Sequence, residues 1–424
     1  MYDLMDDLVL FSDREGTSVI SKISSIYKKA CSGDEDIKKD AYGVIREMLQ
    51  LAAMYGFSGN LWQSMVASYI AFNENPFSLA AEMTGSAHDI DLAKRDCRIL
   101  KKIFEYDFSG LEETIGIDCI DALTDYRSDT EPSDAGALIE HLKERLAHEE
   151  DFYRVIRDFY AVHGVGTLGL NKAFTVRTDQ GKAQFIPVRK MADIRLSDLV
   201  GYQVQKEKLV GNTEAFLKCK PANNVLLFGD GGTGKSTSIR ALANQYSPEG
   251  LRIIQVYRHQ MQYLGQIITQ VKSRNYRFII YMDDLSFEDY ETEYKYLKAV
   301  IEGGLEPRPE NVLIYATSNR RHLIKETWKD RDDMEHIGDM HRSDSMEEKL
   351  SLADRFGVQI YYGKPTREEF HHIVEVLAIK EKIDIDSDVL HSEANKWEVR
   401  HGGVSGRSAR QFIDYIKGTE VDTR

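Results

Sequence analysis

The sequence predicts an α/β fold: a parallel sheet flanked by helices, with an all-α N-terminal domain before it and a small C-terminal helical lid after it. From about residue 195, short apolar segments alternate with helical segments, a pattern typical of parallel sheets whose strands are joined by helices. Residues 1–164 and 363–424 show apolar side chains at helical spacing instead. With 424 residues, the chain is long enough for two or three domains.

Residues 1–164 are predicted to form the helical N-terminal domain. Its clearest helix extends from about Ser133 to His163, where apolar residues recur every three or four positions between charged ones. Pro132 gives a start signal and Gly164 a stop signal. A shorter helix is expected from Ala87 to Tyr106.

Residues 165–192 are predicted to be a connector that contains a β-hairpin, because two short strands surround the turn sequence Asp179–Gly181. Residues 193–362 are predicted to form the α/β domain. Its expected strands are 225–228, 251–256, 277–282, 312–316 and 358–361.

Residues 363–424 are predicted to form the helical lid. The pattern from Thr366 to Glu369 is that of a capping box, which starts a helix. The last helix is expected from Ser405 or Gly406 to about Lys417.

Composition predicts a cytoplasmic protein that does not enter a membrane. Hydrophobic residues make up 42% of the chain and charged residues 29%, as in soluble globular proteins. No apolar segment reaches the roughly 18–20 residues that span a bilayer, and the acidic N-terminus lacks the basic start of a secretory signal. The four cysteines form no C-x-x-C pair and are interpreted as reduced thiols. A net charge of −14 disfavours broad, sequence-independent binding of nucleic acid.

The segment after the first predicted strand carries the strongest chemical signal. Gly229, Gly234, Lys235 and Ser236 fill the fixed places of G-x-x-x-x-G-K-S, the Walker A phosphate loop. Glycines let the backbone N–H groups turn inward around phosphates, and the following helix adds the positive end of its dipole. The lysine places a charge on the phosphates, and the serine hydroxyl can ligate Mg²⁺. The predicted phosphate-binding residues are Gly229, Asp230, Gly231, Gly232, Thr233, Gly234, Lys235, Ser236 and Thr237.

A second motif supplies acidic residues. The apolar strand from Phe278 ends in Asp283 and Asp284, which is typical of a Walker B strand. We expect Asp283 to lie beside the Mg²⁺ held by Ser236. Asp284 is then placed to orient or deprotonate the attacking water.

The next strand, from Val312, ends in the polar residues Thr317, Ser318 and Asn319. Asn319 is the preferred candidate for a sensor that hydrogen-bonds the terminal phosphate or the water. Thr317 is the alternative.

Taken in order, these motifs and two later ones resemble the AAA+ ATPases. The later motifs are Ala353–Gly357 (ADRFG) and Ser405–Arg410 (SGRSAR). The resemblance implies that Arg355 reaches the γ-phosphate bound by a neighbouring subunit and that Arg407 is a second sensor arginine on the lid. Guanidinium charge at such places offsets charge on the transferred phosphoryl group. The rival candidates are Arg320 and Arg321 for the first role and Arg410 for the second.

The resemblance extends to one bacterial family of AAA+ ATP-binding proteins without a known function, and it is strong from about residue 165 to the C-terminus. It implies that Leu199, Val200 and Gly201 lie near the adenine. Most AAA+ proteins have glutamate where this chain has Asp284, so slow hydrolysis is one expectation. The segments that carry this resemblance are Asp198–Tyr202, Asn223–Gly229, Asp283–Glu288, Tyr315–Leu323 and Leu350–Gly357.

The resulting hypothesis is an ATP hydrolase whose subunits assemble in a ring or arc and couple Mg-ATP turnover to remodelling or loading of a macromolecular partner. One alternative is a slow nucleotide-dependent switch that binds a partner, and another is a small-molecule or nucleotide kinase. GTP is disfavoured because no N-K-x-D motif is present. The charged segment Glu326–Glu348 is expected to be an exposed insertion that contacts a partner. No residue pattern names the partner.

Overall fold

The chain forms two compact units. One consists of Met1–Asn171 and Pro187–Met191, and the other of Lys172–Ile186 and Ala192–Arg424. The computed structural model describes residues 2–13, 15–32, 37–85, 90–108, 115–117, 119, 121–287, 293–303, 309–319 and 352–418.

The regular elements described in the first unit are helices, and one isolated antiparallel bridge joins Gly59 to Tyr126. The α4 helix, Leu61–Phe72, lies in its core, with Val66 and Ile70 fully buried. The buried Tyr160 hydroxyl donates to the Ile70 carbonyl at 2.6 Å. The described helices are α1 Tyr2–Asp6, α2 Val19–Ser32, α3 Ile37–Tyr55, α4, α5 Pro76–Thr84, α6 Ile90–Phe104, α7 Asp121–Thr124, α8 Asp134–His148, α9 Phe152–His163 and α10 Gly166–Leu170.

The prediction of one helix from Ser133 to His163 is wrong, because α8 ends before α9 begins. Asp151 caps α9 by accepting the backbone N–H of Arg154 at 3.1 Å. Glu149 accepts from Arg145 Nε at 2.7 Å and from Arg154 at 2.9 Å. The apolar spacing continues across the break because both helices bury apolar faces in the same core, so periodicity alone did not reveal it.

The second unit contains a seven-stranded sheet in the order β2-β1-β4-β5-β6-β3-β7. The five predicted strands are confirmed as β3 to β7, and every pairing among β1 and β3 to β7 is parallel. The mixed α/β fold class is therefore confirmed. The strands are β1 Ala173–Asp179, β2 Lys182–Pro187, β3 Val225–Gly229, β4 Leu251–Gln255, β5 Arg277–Met282, β6 Val312–Ser318 and β7 Val358–Tyr362.

The expected hairpin is part of this sheet. Strand β1 pairs in parallel with β4, with Ala173 opposite Ile253, so the hairpin lengthens the sheet by two strands. Two glutamine side chains bond to β2. Gln266 Oε1 accepts the N–H of Ala183 at 3.2 Å, and Gln270 Nε2 donates to the carbonyl of Ala183 at 3.0 Å.

The central strand β3 lies between β6 and β7, with Val225 opposite both Tyr315 and Val358. Because parallel strands end at the same edge of a sheet, the residues that follow β3, β5 and β6 meet there. The helices of this unit that precede the lid are α11 Gln203–Leu217, α12 Lys235–Tyr246, α13 Leu264–Val271 and α14 Tyr294–Glu302.

Three lid helices follow β7 and share their own apolar core, which includes Phe370 and Phe412. The predicted capping box is confirmed: Thr366 Oγ1 accepts the N–H of Glu369 at 3.2 Å, and the Glu369 carboxylate accepts the N–H of Thr366 at 2.7 Å. No described helix of the chain combines the length and apolar character needed to cross a membrane. The lid helices are α15 Arg367–Lys380, α16 Ser387–Arg400 and α17 Gly406–Gly418.

Candidate functional site

The loop between β3 and α12 requires glycine at two tightly packed positions. Gly229 has φ of 130°, and a Cβ there would lie 2.2 Å from the Tyr362 carbonyl oxygen. Gly234 has φ of 96°, and a Cβ there would lie 2.3 Å from Leu199 Cδ1. Both a left-handed backbone and close packing therefore exclude larger residues. Glycine at these two positions therefore allows the loop to follow its tight path between Tyr362 and Leu199.

Lys235, at the start of α12, is buried and held by three oxygen acceptors. Its Nζ donates to the carbonyls of Gly229 at 2.9 Å and Asp230 at 2.6 Å, and to Asn319 Oδ1 at 3.0 Å. Burial lowers the pKa of Lys235, and three nearby carboxylates oppose that shift. The three described hydrogen-bond acceptors of the ammonium group are neutral oxygens. An added anion could therefore form a charge-assisted hydrogen bond with it.

Ser236, Asp283 and Thr317 form a chain of hydrogen bonds. Asp283 Oδ1 accepts from Ser236 Oγ at 2.7 Å and from Thr317 Oγ1 at 2.6 Å. Burial raises the pKa of Asp283, but these hydrogen bonds, together with Tyr281 and the charge of Arg240, hold it below its usual value. An ionised carboxylate beside a hydroxyl fits Mg²⁺, which is held in phosphate sites by one or two oxygen side chains together with phosphate and water.

Asp284 and Asn319 lie next to that chain. Asp284 has φ of 51°, and its N–H donates to Thr317 Oγ1 at 2.9 Å. Asn319 Nδ2 donates to Asp284 Oδ1 at 2.8 Å while its oxygen accepts from Lys235. Asn319 therefore bridges the ammonium group and the second carboxylate. Thr317 is buried, and its hydroxyl supports both acidic residues.

These side chains line one cavity of about 810 Å³ within the second unit, a volume within the usual range for ligand pockets. Its apolar part includes Leu199 and Val200, whereas Gly201 does not line it. Among the nine predicted loop residues, Gly229 and Asp230 do not line the cavity either, but their carbonyls hold Lys235. The other lining residues from the predicted set are Gly231, Gly232, Thr233, Gly234, Lys235, Ser236, Thr237, Asp283, Asp284, Thr317, Asn319, Arg407 and Arg410.

The lid contacts the phosphate loop directly. The N–H of Arg407, in the first turn of α17, donates to the Gly232 carbonyl at 3.2 Å. Arg410 also lines the cavity, but its guanidinium pairs with Glu381 at 2.9 Å and Asp414 at 3.1 Å. Of the two lid arginines, Arg407 therefore fits the second-sensor prediction better.

Arg355 is not brought into this cavity. It is half-buried, does not line the cavity, and forms an ion pair with Glu302 of the same chain. A residue that acts in a neighbouring subunit is expected to lie outside its own site. The rival residues Arg320 and Arg321, and the segment Glu326–Glu348, lie outside the described residues.

Sequence reasoning missed three polar contacts around the cavity. Arg240, four residues after Ser236, lies 4.0 Å from Asp283 Oδ2, and that helical spacing was a usable signal. Lys380 in the lid donates to Asp198 at 2.7 Å. The Asp230 carboxylate accepts the N–H of Lys364 at 3.2 Å. No short-range pattern indicates the last two contacts because they join distant segments.

A family model described as "Protein of unknown function (DUF815)" matches residues 170–420. The chain belongs to this family. The match covers the sheet, the candidate site and the lid, and it confirms the prediction that the chain comes from a family without a known function.

Among solved structures, a single-substitution variant of RuvB from Thermotoga maritima is similar to the chain, at 16% identity and a TM-score of 0.37. That similarity covers 53% of this chain and 65% of the RuvB chain. The T. maritima RuvB Holliday junction branch migration motor is also similar, at 14% identity, 52% and 72% coverage and a TM-score of 0.32. No curated protein matches the chain.

Proposed function

We propose that this protein binds Mg-ATP and hydrolyses it. One observation carries the proposal: Lys235, the Ser236–Asp283 pair and the Asp284–Asn319 pair line a single cavity. Each member matches a requirement of phosphoryl transfer, namely charge against the phosphates, oxygen ligands for the metal, and groups that position water.

The roles of the residues follow from their contacts. Lys235 and the loop N–H groups hold the phosphates, and Ser236 and Asp283 hold Mg²⁺, which neutralises charge that develops on phosphate oxygens. Asp284 accepts a hydrogen bond from the attacking water, and Asn319 keeps its carboxylate oriented. Leu199 and Val200 contact the base. Arg407 places its charge near the phosphates from the lid side.

We further propose a cytoplasmic homo-oligomer, a ring or arc, that remodels or loads a macromolecule. The position of Arg355 outside its own cavity supports action on a neighbouring subunit. Release of its pairing with Glu302 would accompany assembly. The helical first unit lacks the phosphate-binding motifs and is the proposed partner-binding part.

The decisive experiment measures ATP hydrolysis per subunit over a range of protein concentrations, with Arg355→Ala alongside. Activity per subunit that rises with concentration in the wild type, and is lost in Arg355→Ala, supports a shared site. A constant rate together with an unaffected variant would discard the oligomer. Wild-type protein that turns over no ATP at any concentration would discard the hydrolase.

A slow switch is the second candidate, because the carboxylate of Asp284 is short and already bonded to Asn319. In that case single-turnover assays detect one slow cleavage, and the ATP-bound form can be isolated. Rapid multiple turnover excludes the switch. A pull-down with Asp284→Asn in the presence of ATP should retain the macromolecular partner under either candidate.

A further inference from the structure

The first unit contains a separate apolar cavity of about 300 Å³. Its walls come from α2, α3 and α4, from the end of α6 and from the segment that follows α6. For comparison, a dry cavity of about 150 Å³ in another protein binds benzene. The cavity here is about twice that size, so it has room for a two-ring aromatic group or a branched aliphatic chain.

Three aromatic rings form one wall. The rings of Trp62 and Phe108 lie 4.8 Å apart at 78°, and those of Tyr106 and Phe108 lie 5.3 Å apart at 78°. All three residues line the cavity. Trp62 already donates its ring N–H to the Ile103 carbonyl at 2.7 Å. The wall therefore offers ring faces and edges, and ring faces attract cations.

Two carboxylates lie beside that wall. Glu105 and Asp107, on either side of Tyr106 in the sequence, are exposed and line the cavity. Lys101, the nearest described cation to Glu105, is 3.8 Å from it but only 2.7 Å from Glu150. Among the described residues that line the cavity, these two carboxylates are the charged ones, and they favour a cation over an anion.

We propose that this cavity binds an apolar group that carries a positive charge. The apolar group occupies the space between α3 and the aromatic wall, and the ammonium or guanidinium group lies near Glu105 and Asp107. Such chemistry is present in a hydrophobic amine and in an apolar side chain next to Lys or Arg in a protein partner. The proposal does not depend on ATP binding by the other unit.

The test uses tryptamine as the probe with the full-length protein, followed by ligand-observed NMR and isothermal titration calorimetry. Indole-3-propionate is the matched anionic probe. We expect saturable binding of tryptamine and at least about tenfold weaker binding of the anion. A blocked peptide, acetyl-Lys-Trp-Lys-amide, separates the sources: tighter binding than tryptamine points to a protein partner, and weaker binding points to a free amine.

Two variants place the binding in this cavity. Glu105→Gln combined with Asp107→Asn should weaken tryptamine binding about two- to fivefold for each charge removed. Ala41→Leu fills the cavity from α3 and should abolish binding; circular dichroism verifies that it folds. Asp129→Asn, an exposed carboxylate away from the cavity, should change nothing. Equal affinity for the anion, no saturable tryptamine binding, or unchanged affinity in the double variant overturns the proposal.

Discussion

Charged side chains in the two units form different kinds of hydrogen bond. In the helical unit, the fully buried Asp96 accepts the N–H groups of Val9, Leu10 and Phe11. In the sheet-containing unit, Lys235 and Asp283 bond to groups that line an 810 Å³ cavity. The first arrangement ties one chain segment to another. The second leaves oxygen and nitrogen groups converging on space that a ligand can enter.

The comparison teaches that burial of a charge alone does not mark a functional site. Buried carboxylates hold ordinary structure when their acceptor capacity is used by backbone N–H groups. Charged and polar side chains mark a candidate site when several of them, at the ends of different strands, face one cavity. Substitutions in the two units should therefore separate stability from activity.

The largest expected effect is on stability, from Asp96→Ala. Removal of this carboxylate leaves three N–H groups without their acceptor in the core, so the free energy of unfolding of the helical unit should fall by about 3–5 kcal/mol. Urea titration and hydrogen exchange of residues 9–11 measure it. Nucleotide affinity of the protein that remains folded should be unchanged. A parallel loss of nucleotide affinity would contradict the division of roles.

The next effect is on activity, from Lys235→Ala. Loss of the buried ammonium group should reduce ATP turnover about 10²–10³-fold, with little change in the thermal midpoint because a desolvated charge is removed as well. Radiolabelled ATP hydrolysis and calorimetric binding measure it. Lys208→Ala, an exposed lysine on α11, is the matched control. Undiminished ATP binding by Lys235→Ala would refute the nucleotide site.

Thr317→Val should lower kcat about 10- to 50-fold with little change in KM. Its hydroxyl donates to Asp283 and accepts from the Asp284 backbone N–H. Valine cannot form either hydrogen bond, so each acidic residue loses one of the contacts that position it. Thr317→Ser keeps the hydroxyl and should recover most of the rate. If Val and Ser variants behave alike, Thr317 contributes packing only.

Arg407→Ala should weaken ATP binding or turnover about five- to tenfold, whereas Arg410→Ala should stay within about twofold. Arg407 lacks a described ion pair and contacts the phosphate loop through its backbone, while Arg410 is paired with Glu381 and Asp414. Steady-state kinetics of both variants decides the assignment. The reverse ranking would make Arg410 the second sensor.

The smallest effect concerns pH. A hydrogen bond from Lys380 holds the pKa of Asp198 below its ordinary value of 3.8. The ion pair therefore stabilises lid docking above pH 3.8, and this stabilisation is lost as the pH falls through the lower folded-state pKa. Because the pair is largely solvated, it is worth at most about 1 kcal/mol.

Thermal midpoints of wild type and Asp198→Asn should accordingly differ at pH 7 and converge at an acid pH below the folded-state pKa of Asp198. Asp384→Asn, an exposed lid carboxylate, should differ from wild type at neither pH. If the thermal midpoints of wild type and Asp198→Asn still differ at acid pH, the charge of Asp198 is not the source of the stabilisation.

The five strands of the sheet were predictable because each is a short apolar run next to turn or helix signals. The meeting of the glycine-rich loop after β3 with the two acidic residues after β5 at one cavity was predictable, because parallel strands end at the same edge of a sheet. That these residues hold phosphate and Mg²⁺ stays a prediction. The break at Glu149–Asp151 was missed because burial of both helices in one core preserves the apolar period across it. The link from Asp198 to Lys380 joins positions far apart in sequence, which local patterns do not encode.

The role of the hairpin was also beyond local patterns. Its two strands were recognisable from the turn at Asp179–Gly181. The pairing of β1 with β4, however, joins Ala173 to Ile253, a partner about 80 residues later in the sequence. Strand pairing of this kind is determined by tertiary contacts, and the intrinsic strand propensity of the residues does not reveal it.

Strand β2 lies at one edge of the sheet, and two side chains of α13 protect that edge from pairing with a strand of another molecule. An open strand margin invites backbone from another molecule and can begin aggregation. Gln266 and Gln270 occupy both the donor and the acceptor of Ala183, so an incoming strand finds that position already taken. Growth of the sheet by a further strand is therefore discouraged at this position.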